Sequence, residues 1–234
     1  MYNNEEIGIS AEVAIADIFG ISIADEYRTR SHPSIVNRLR PIVTSIFINN
    51  EIPLPLAHIA AGHNPIDFTL KDGKTLSVKS NQRQLGKVAP QRVAQPTSSS
   101  FFPLFAQLTN GMQTPADKAQ RISIFKQIVF TRIDEMLQIY WANLFECDYL
   151  VYFYDVLIFS ESPKAVVFTK LDSPQWDKAH ISFTKPTAES WNESNTIKYH
   201  GVTIGEFQIH TARDNFKFRF NIKGITELTE RGII

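Results

Sequence analysis

Residues 66–79 read Ile-Asp-Phe-Thr-Leu-Lys-Asp-Gly-Lys-Thr-Leu-Ser-Val-Lys. Two alternating stretches flank Asp72-Gly73, which predicts a β-hairpin. A three-residue loop, Lys71-Asp72-Gly73, puts Gly73 where a left-handed backbone is favoured. Leu70 then faces Lys74, and Asp67 faces Ser77. Side chains alternate along a strand, so Asp67, Ser77 and Lys79 share one face. The diagonal from Asp67 to Lys79 is roughly 7–8 Å between backbones, which long side chains can close. A two-residue loop would put Asp67 on the opposite face, so the reading depends on loop length.

Outward from the hairpin, residues 5–19 predict a helix with Ile7, Ala11, Ala14, Ile15 and Ile18 at helical spacing and Gly20 as its stop. Residues 34–48 predict a second helix, kinked or broken at Pro41. Residues 51–65 carry Pro53, Pro55, Gly62 and Pro65 and predict a loop with a helical turn at 56–61. Residues 116–145 predict one long amphipathic helix, its stripe formed by Ile122, Phe125, Ile128, Val129, Ile133, Leu137 and Tyr140. Residues 149–159 form a nearly continuous apolar strand, and 166–170 and 181–184 predict further strands. Residues 202–210 and 215–222 predict a second hairpin about Ala212-Arg213-Asp214. The sum is an α/β (mixed α+β) chain: one domain over 1–234, with a central mixed β-sheet flanked by helices. Residues 80–115 form a long loop-rich excursion, and such loops usually carry function.

The chain has 234 residues, with 24 Lys+Arg balancing 24 Asp+Glu, 43% hydrophobic residues and one cysteine. One cysteine cannot form an internal disulfide, and the composition is too apolar for a disordered chain. No apolar run approaches the roughly 18 residues needed to span a bilayer. The first residues lack a signal-peptide pattern, so a soluble cytoplasmic protein is expected. The zero net charge is a sum of opposed segments. From Lys74 to Arg92 there are five basic residues and no acidic one; from Asp134 to Glu161 there are six acidic residues and no basic one. The basic run interleaves Ser80, Asn81, Gln82, Gln84, Gln91 and Gln95 with Arg83, Lys87 and Arg92. Such residues contact phosphates and read base edges; the bland alternative is a solvated face.

A carboxylate and a lysine converging on one sheet face can cut phosphodiesters. The carboxylate holds a divalent metal, and the lysine orients or deprotonates water and steadies developing charge. Pro65-Ile66-Asp67 with Ser77-Val78-Lys79 resembles the PD-(D/E)xK nuclease motif. Ser77 departs from it, standing where the superfamily usually has an acidic residue. Further similarity to a group of Type II restriction endonucleases lies in Ser77–Asn81, Lys87–Gln91, Gln95–Thr97, Gly205–His210, Arg213 and Phe216–Phe220. The resemblance implies a restriction-endonuclease-like core and Mg²⁺-dependent hydrolysis of double-stranded DNA at a short recognition site. It also implies a homodimer, a cognate methyltransferase in the same restriction-modification system, and no membrane partner. Asp67, the Val78 carbonyl and Glu12 would be the metal ligands; Lys79 would act on water, with Ser77 beside it. For Glu12 the alternative is a solvent-facing helix glutamate. DNA contacts would come from Ser80, Asn81, Gln82, Arg83, Lys87, Gln91, Arg92 and Gln95, and from His210, Arg213 and Arg219 at the second hairpin. Lys217, Arg219 and Lys223 would share a face of a regular strand. The rival readings are a non-catalytic DNA-binding module of the same fold and a structure-specific repair or recombination nuclease.

Other residues read as structure. Cys147 is expected to be a buried small hydrophobe, and Tyr140, Trp141, Phe145 and Tyr149 core. His58 and His63 have no cysteine companion and a spacing ill suited to zinc. The stripe of the 116–145 helix could line a dimer interface or a core.

Overall fold

The computed structural model describes residues 2–60 and 64–234. In chain order the elements are α1 (Asn4–Phe19), α2 (Asp25–Arg30), α3 (Pro33–Asn49), β1 (Pro55–His58), β2 (Phe68–Leu70), β3 (Thr75–Ser80) and β4 (Lys87–Val88). Then come α4 (Phe101–Leu104), α5 (Lys118–Thr131), α6 (Ile133–Leu144), β5 (Tyr149–Tyr154) and β6 (Lys164–Thr169). The chain ends with β7 (Ile181–Phe183), β8 (Ser194–Tyr199), β9 (Val202–His210), β10 (Asn215–Asn221) and α7 (Ile222–Glu230). These elements fall into two compact units, Met1–Gly86 with Phe145–Leu171 and Lys87–Leu144 with Asp172–Ile234. Each unit holds one five-stranded sheet. The fold class is α+β, as expected, with a mixed sheet flanked by helices in the first unit.

The first unit is built on a sheet of order β1-β2-β3-β5-β6. Only β3 and β5 run parallel; the other pairings are antiparallel. The α1 helix starts at a capping box, in which Asn3 and Glu6 satisfy each other's backbone N–H groups, and stops at Gly20 with φ 67°. Ile7, Ala11, Ala14 and Ile15 of α1 meet Ile35, Leu39, Val43 and Phe47 of α3, and both rows close over Phe68, Leu70, Leu76, Val78 and Val151. The α3 helix runs unbroken through Pro41.

The second unit's sheet, of order β4-β10-β9-β8-β7, is antiparallel throughout. Its inner face is aromatic. Phe125 of α5 stacks on Phe216 at 3.9 Å, and Tyr140 of α6 stacks on Phe218 at 4.3 Å. Gly224 lets α7 lie against β9: a Cβ there would come within 1.9 Å of the Thr203 carbonyl oxygen. The excursion after β4 is pinned to the sheet, because Phe218 and Phe216 donate their N–H groups to Ala94 and Pro96.

Several sequence expectations need correction. The expected loop and helical turn at 51–65 contains β1, with Pro55 as the first residue of an edge strand, where its missing N–H is harmless. The 116–145 helix is two helices, interrupted at Arg132, whose guanidinium turns back to the carbonyls of Gln107 and Leu108. Of this stripe Ile122 is half-buried, and Phe125, Ile128, Val129, Ile133, Leu137 and Tyr140 are buried as core. The strand from 149 stops at Tyr154, because Asp155 adopts a left-handed backbone with φ 56°. Lys223 lies in α7 and so leaves the face it was expected to share with Lys217 and Arg219. The helices α2 and α7 and the strand β8 have no counterpart in the sequence pattern. No helix among the described residues is long and apolar enough to cross a membrane.

Candidate active site

The β2–β3 hairpin has the three-residue loop. Phe68 pairs with Leu76 and Thr69 with Thr75. Leu70 and Lys74 close the turn at 2.8 Å, and Gly73 has φ 86°. This register sets Asp67 opposite Ser77. Asp67's main chain is held on both sides: its N–H donates to Leu76 at 3.0 Å and its carbonyl accepts from Ile59 at 2.9 Å. With the backbone clamped, the side chain has one direction to take.

That direction is inward. Asp67 is 5% exposed, and its Oδ2 accepts from the Val78 N–H at 2.5 Å and the Ser77 hydroxyl at 3.2 Å. Lys79 Nζ lies 3.7 Å from the same oxygen, an ion pair and not a close hydrogen bond. Ser77 also reaches the Pro65 carbonyl at 2.9 Å. The hydroxyl that stands where the superfamily usually has an acidic residue shares its one proton between the Pro65 carbonyl and the Asp67 carboxylate. It adds no charge of its own.

Glu12 joins this cluster from α1. Gly8, one turn earlier, faces Ser80 of β3, which sets the helix against the strand. Glu12 is buried, not solvent-facing, and its Oε2 lies 2.8 Å from His58 Nε2. Burial pushes the Glu12 carboxyl above its usual range; the hydrogen bond to His58 works against this and the charge of Asp67 adds to it. Two buried carboxylates thus sense each other. Among the described residues, no group of three or more His, Cys, Asp and Glu side chains could hold a metal. Two carboxylates and a backbone carbonyl do suit magnesium, which takes hard oxygen ligands and keeps several waters. Cys147 lies behind, beside the Ser77 backbone and within the field of Lys79, and burial pushes its thiol up to about 11.

His58 is the residue that the sequence pattern does not reveal. There it stands only as half of an unlikely zinc pair, and His63 lies outside the described residues. The proline-rich setting hides the strand that carries it.

The amide-rich run after Lys79 is largely engaged in the first unit itself. Asn81 donates to Gln84, and Gln82 to the Tyr2 carbonyl at 2.9 Å. Ser80 Oγ is buried with no hydrogen-bond partner, and Arg83 is exposed. The acidic run is spent on structure. Asp148 accepts from Thr75, Asp155 and Glu161 flank Lys164, and Asp134 pairs with Lys178.

The second unit carries a separate polar surface, the outer face of β9 and β10. Register pairs Glu206 with Arg219 and Gln208 with Lys217, and His210 with Asn215. Glu206 Oε2 takes Lys87 at 2.7 Å, Arg219 at 3.0 Å and Gln208 at 3.1 Å, and Gln208 in turn meets His210 at 3.3 Å. Burial raises the Glu206 carboxyl, but Lys87 and Arg219 outweigh it and hold it below its usual value. Burial, then the charges of Arg219 and Arg213, lower the Lys217 ammonium. Gln91, Arg92, Gln95 and Arg213 are exposed in this unit.

No protein-family model matches the chain. No solved structure matches it either. The chain is similar to the Type II restriction enzyme CviAII of Paramecium bursaria Chlorella virus 1, with 33% identity over 173 residues. The match covers 73% of this chain and 46% of the viral enzyme, so the chain spans about half the length of that relative.

Proposed function

We propose that this chain is a Type II restriction endonuclease of the PD-(D/E)xK superfamily, cleaving double-stranded DNA at a short site with Mg²⁺. The observation that carries the reading is the convergence of the buried Asp67 and the half-buried Lys79, 3.7 Å apart on one sheet face, with Glu12 beside them. Similarity to a restriction enzyme over most of the chain supports it.

Asp67, Glu12 and the Val78 carbonyl would hold Mg²⁺. The ion would polarise the scissile phosphate and acidify a bound water. Lys79 Nζ orients the attacking water and meets the charge that develops on the phosphate. Ser77 fixes Asp67 by its hydrogen bond, in the position of the missing acid. Burial of the cluster keeps bulk water from screening these charges.

Recognition falls to Arg83, exposed just after the catalytic strand, and to the second unit. There Lys87 lies on the edge strand β4, Gln91, Arg92 and Gln95 follow it, and Gln208, His210, Arg213 and Arg219 line or border the β9–β10 face. A two-stranded ribbon fits the major groove. A homodimer would match a palindromic site and cut both strands. A methyltransferase of the same specificity would protect the host.

Digestion of plasmid DNA of known sequence in Mg²⁺, with the ends mapped, tests this reading. The expected result is discrete fragments that disappear in Asp67→Ala and Lys79→Ala. Binding without cutting in Mg²⁺ and Mn²⁺ would make the chain a non-catalytic DNA-binding module. Preference for branched or damaged DNA would make it a structure-specific nuclease.

A further inference from the structure

Glu12 and His58 come from distant parts of the first unit and meet away from solvent, with side chains 10% and 5% exposed. Stability alone gives no reason for the pair. A buried polar pair is commonly no better than apolar side chains of the same volume. Glu12 also stands in the field of a second buried carboxylate, Asp67. The His58 ring is fixed on two sides: Tyr27 packs edge-on at 4.6 Å, and Phe68 at 5.0 Å. Its backbone is fixed as well, because His58 pairs with Phe68 in the sheet. Nε2 therefore has a set place. When Glu12 is ionised, as a metal ligand must be, it only accepts, and Nε2 is then the donor of this bond. The bond occupies Oε2 and removes the torsional freedom that a glutamate would otherwise have.

We propose that His58 is a positioning residue that holds the Glu12 carboxylate in one orientation for a divalent cation shared with Asp67, an inference that rests on the nuclease reading above. His58 does not touch the metal. It acts through Glu12, as hydrogen-bonded partners outside a metal's own ligands do when they fix ligand orientation. The same bond leaves Glu12 Oε1 as the oxygen to be presented.

The test is Mn²⁺ binding to the full chain without DNA, by titration calorimetry, with cleavage kinetics alongside. Two substitutions separate positioning from packing. His58→Phe keeps an aromatic ring against Tyr27 and Phe68 and removes the donor. His58→Gln loses the ring and keeps a donor of similar reach. The expected result is that His58→Phe weakens Mn²⁺ binding by about 10- to 100-fold. His58→Gln should stay closer to the parent protein. In cleavage, kcat should fall in His58→Phe with KM for DNA unchanged. In a Glu12→Gln background, His58→Phe should add no further loss.

Unchanged Mn²⁺ affinity in His58→Phe would overturn the inference, as would equal losses in the Phe and Gln variants. If His58→Phe does not fold, His58→Asn, too short to reach Glu12, takes its place with the same expectation. Asp67→Asn separates the two levels. If it weakens Mn²⁺ binding and His58→Phe does not, only the role of His58 falls. If the parent protein and Asp67→Asn give the same Mn²⁺ titration, the metal-dependent nuclease reading falls, and this inference falls with it.

Discussion

In the first unit Glu12, Asp67 and Ser77 lie buried, at and beside the β2–β3 hairpin. In the second, each buried position of β9 and β10 is apolar or glycine, and Glu206, Gln208, His210, Lys217 and Arg219 all look outward. The two sheets have the same number of strands and put their charges in opposite places. Burying carboxylates is costly, so a site that keeps them there gains something other than stability from them. A half-exposed row of hydrogen-bonding side chains costs little, and it remains available to a partner. Under the proposed function the first sheet would do chemistry and the second would hold and read the substrate.

The sharpest way to break this contrast is Asp67→Asn. It should lower the cleavage rate by about 10²–10³-fold or more, the scale seen when one preorganised charge-stabilising group is removed. Thermal stability should change little, because loss of the ion pair with Lys79 is offset by removal of a negative charge next to Glu12. A parallel collapse of stability and activity would mean that Asp67 is structural.

On the second sheet, Lys217→Ala combined with Arg219→Ala should weaken duplex binding and leave single-turnover cleavage at saturating protein nearly unchanged. The slope of log affinity against log salt should fall by about 0.9 for each phosphate that these cations no longer neutralise. Anisotropy titrations over a range of salt would measure it. An unchanged slope would remove this face from the DNA interface.

Glu206→Gln should have a smaller effect of opposite sign. Freed from the carboxylate, Lys87 and Arg219 should bind non-specific DNA several-fold more tightly at low salt. The substitution should also change the acid limb of stability. Against the upward push of burial, Lys87 and Arg219 depress the Glu206 carboxyl below its usual 4.5. That contribution is present above the unfolded value and is lost as pH falls through the lower folded value. The stability gap between Glu206→Gln and the parent protein should therefore narrow as pH falls below the usual glutamate value, as thermal scans across pH would show. The smallest effect concerns Cys147. Its thiol, pushed up to about 11 by burial, should react slowly with iodoacetamide at pH 8 and quickly once the chain is unfolded.

The β2–β3 hairpin was legible in sequence because a tight turn fixes register, and register fixes which side chains share a face. Gly73 and the alternation around it were enough to bring Asp67, Ser77 and Lys79 together. Glu12 was legible only as a helical residue near the motif; its burial depends on how α1 packs, which no local pattern states. His58 was hidden because Pro53 and Pro55 read as loop, whereas an edge strand tolerates proline at its start. The break at Arg132 was hidden for another reason. The apolar stripe continues from Phe125 through Ile133 to Tyr140, and the interruption comes from hydrogen bonds to a distant loop. The α7 helix follows β10 directly, and the close approach of Gly224 to Thr203 that seats it is a packing feature no local pattern states.

The parallel pairing of β3 with β5 bears on how the protein is made. Val78 pairs with Val151, and the segment from Lys87 to Leu144, which belongs to the other unit, lies between them in sequence. A parallel partner this far along the chain forms late, because the entropy of closing the intervening loop must be met before the pairing rewards it. During synthesis the hairpin bearing Asp67 and Lys79 emerges with one edge of β3 unpaired, and it keeps that open edge until β5 follows. An unpaired edge is the usual route to misassociation with another chain. It also means that β3, the central strand of the first sheet, is completed only after most of the chain exists, so a nascent fragment ending before β5 has the hairpin and lacks the finished sheet around it.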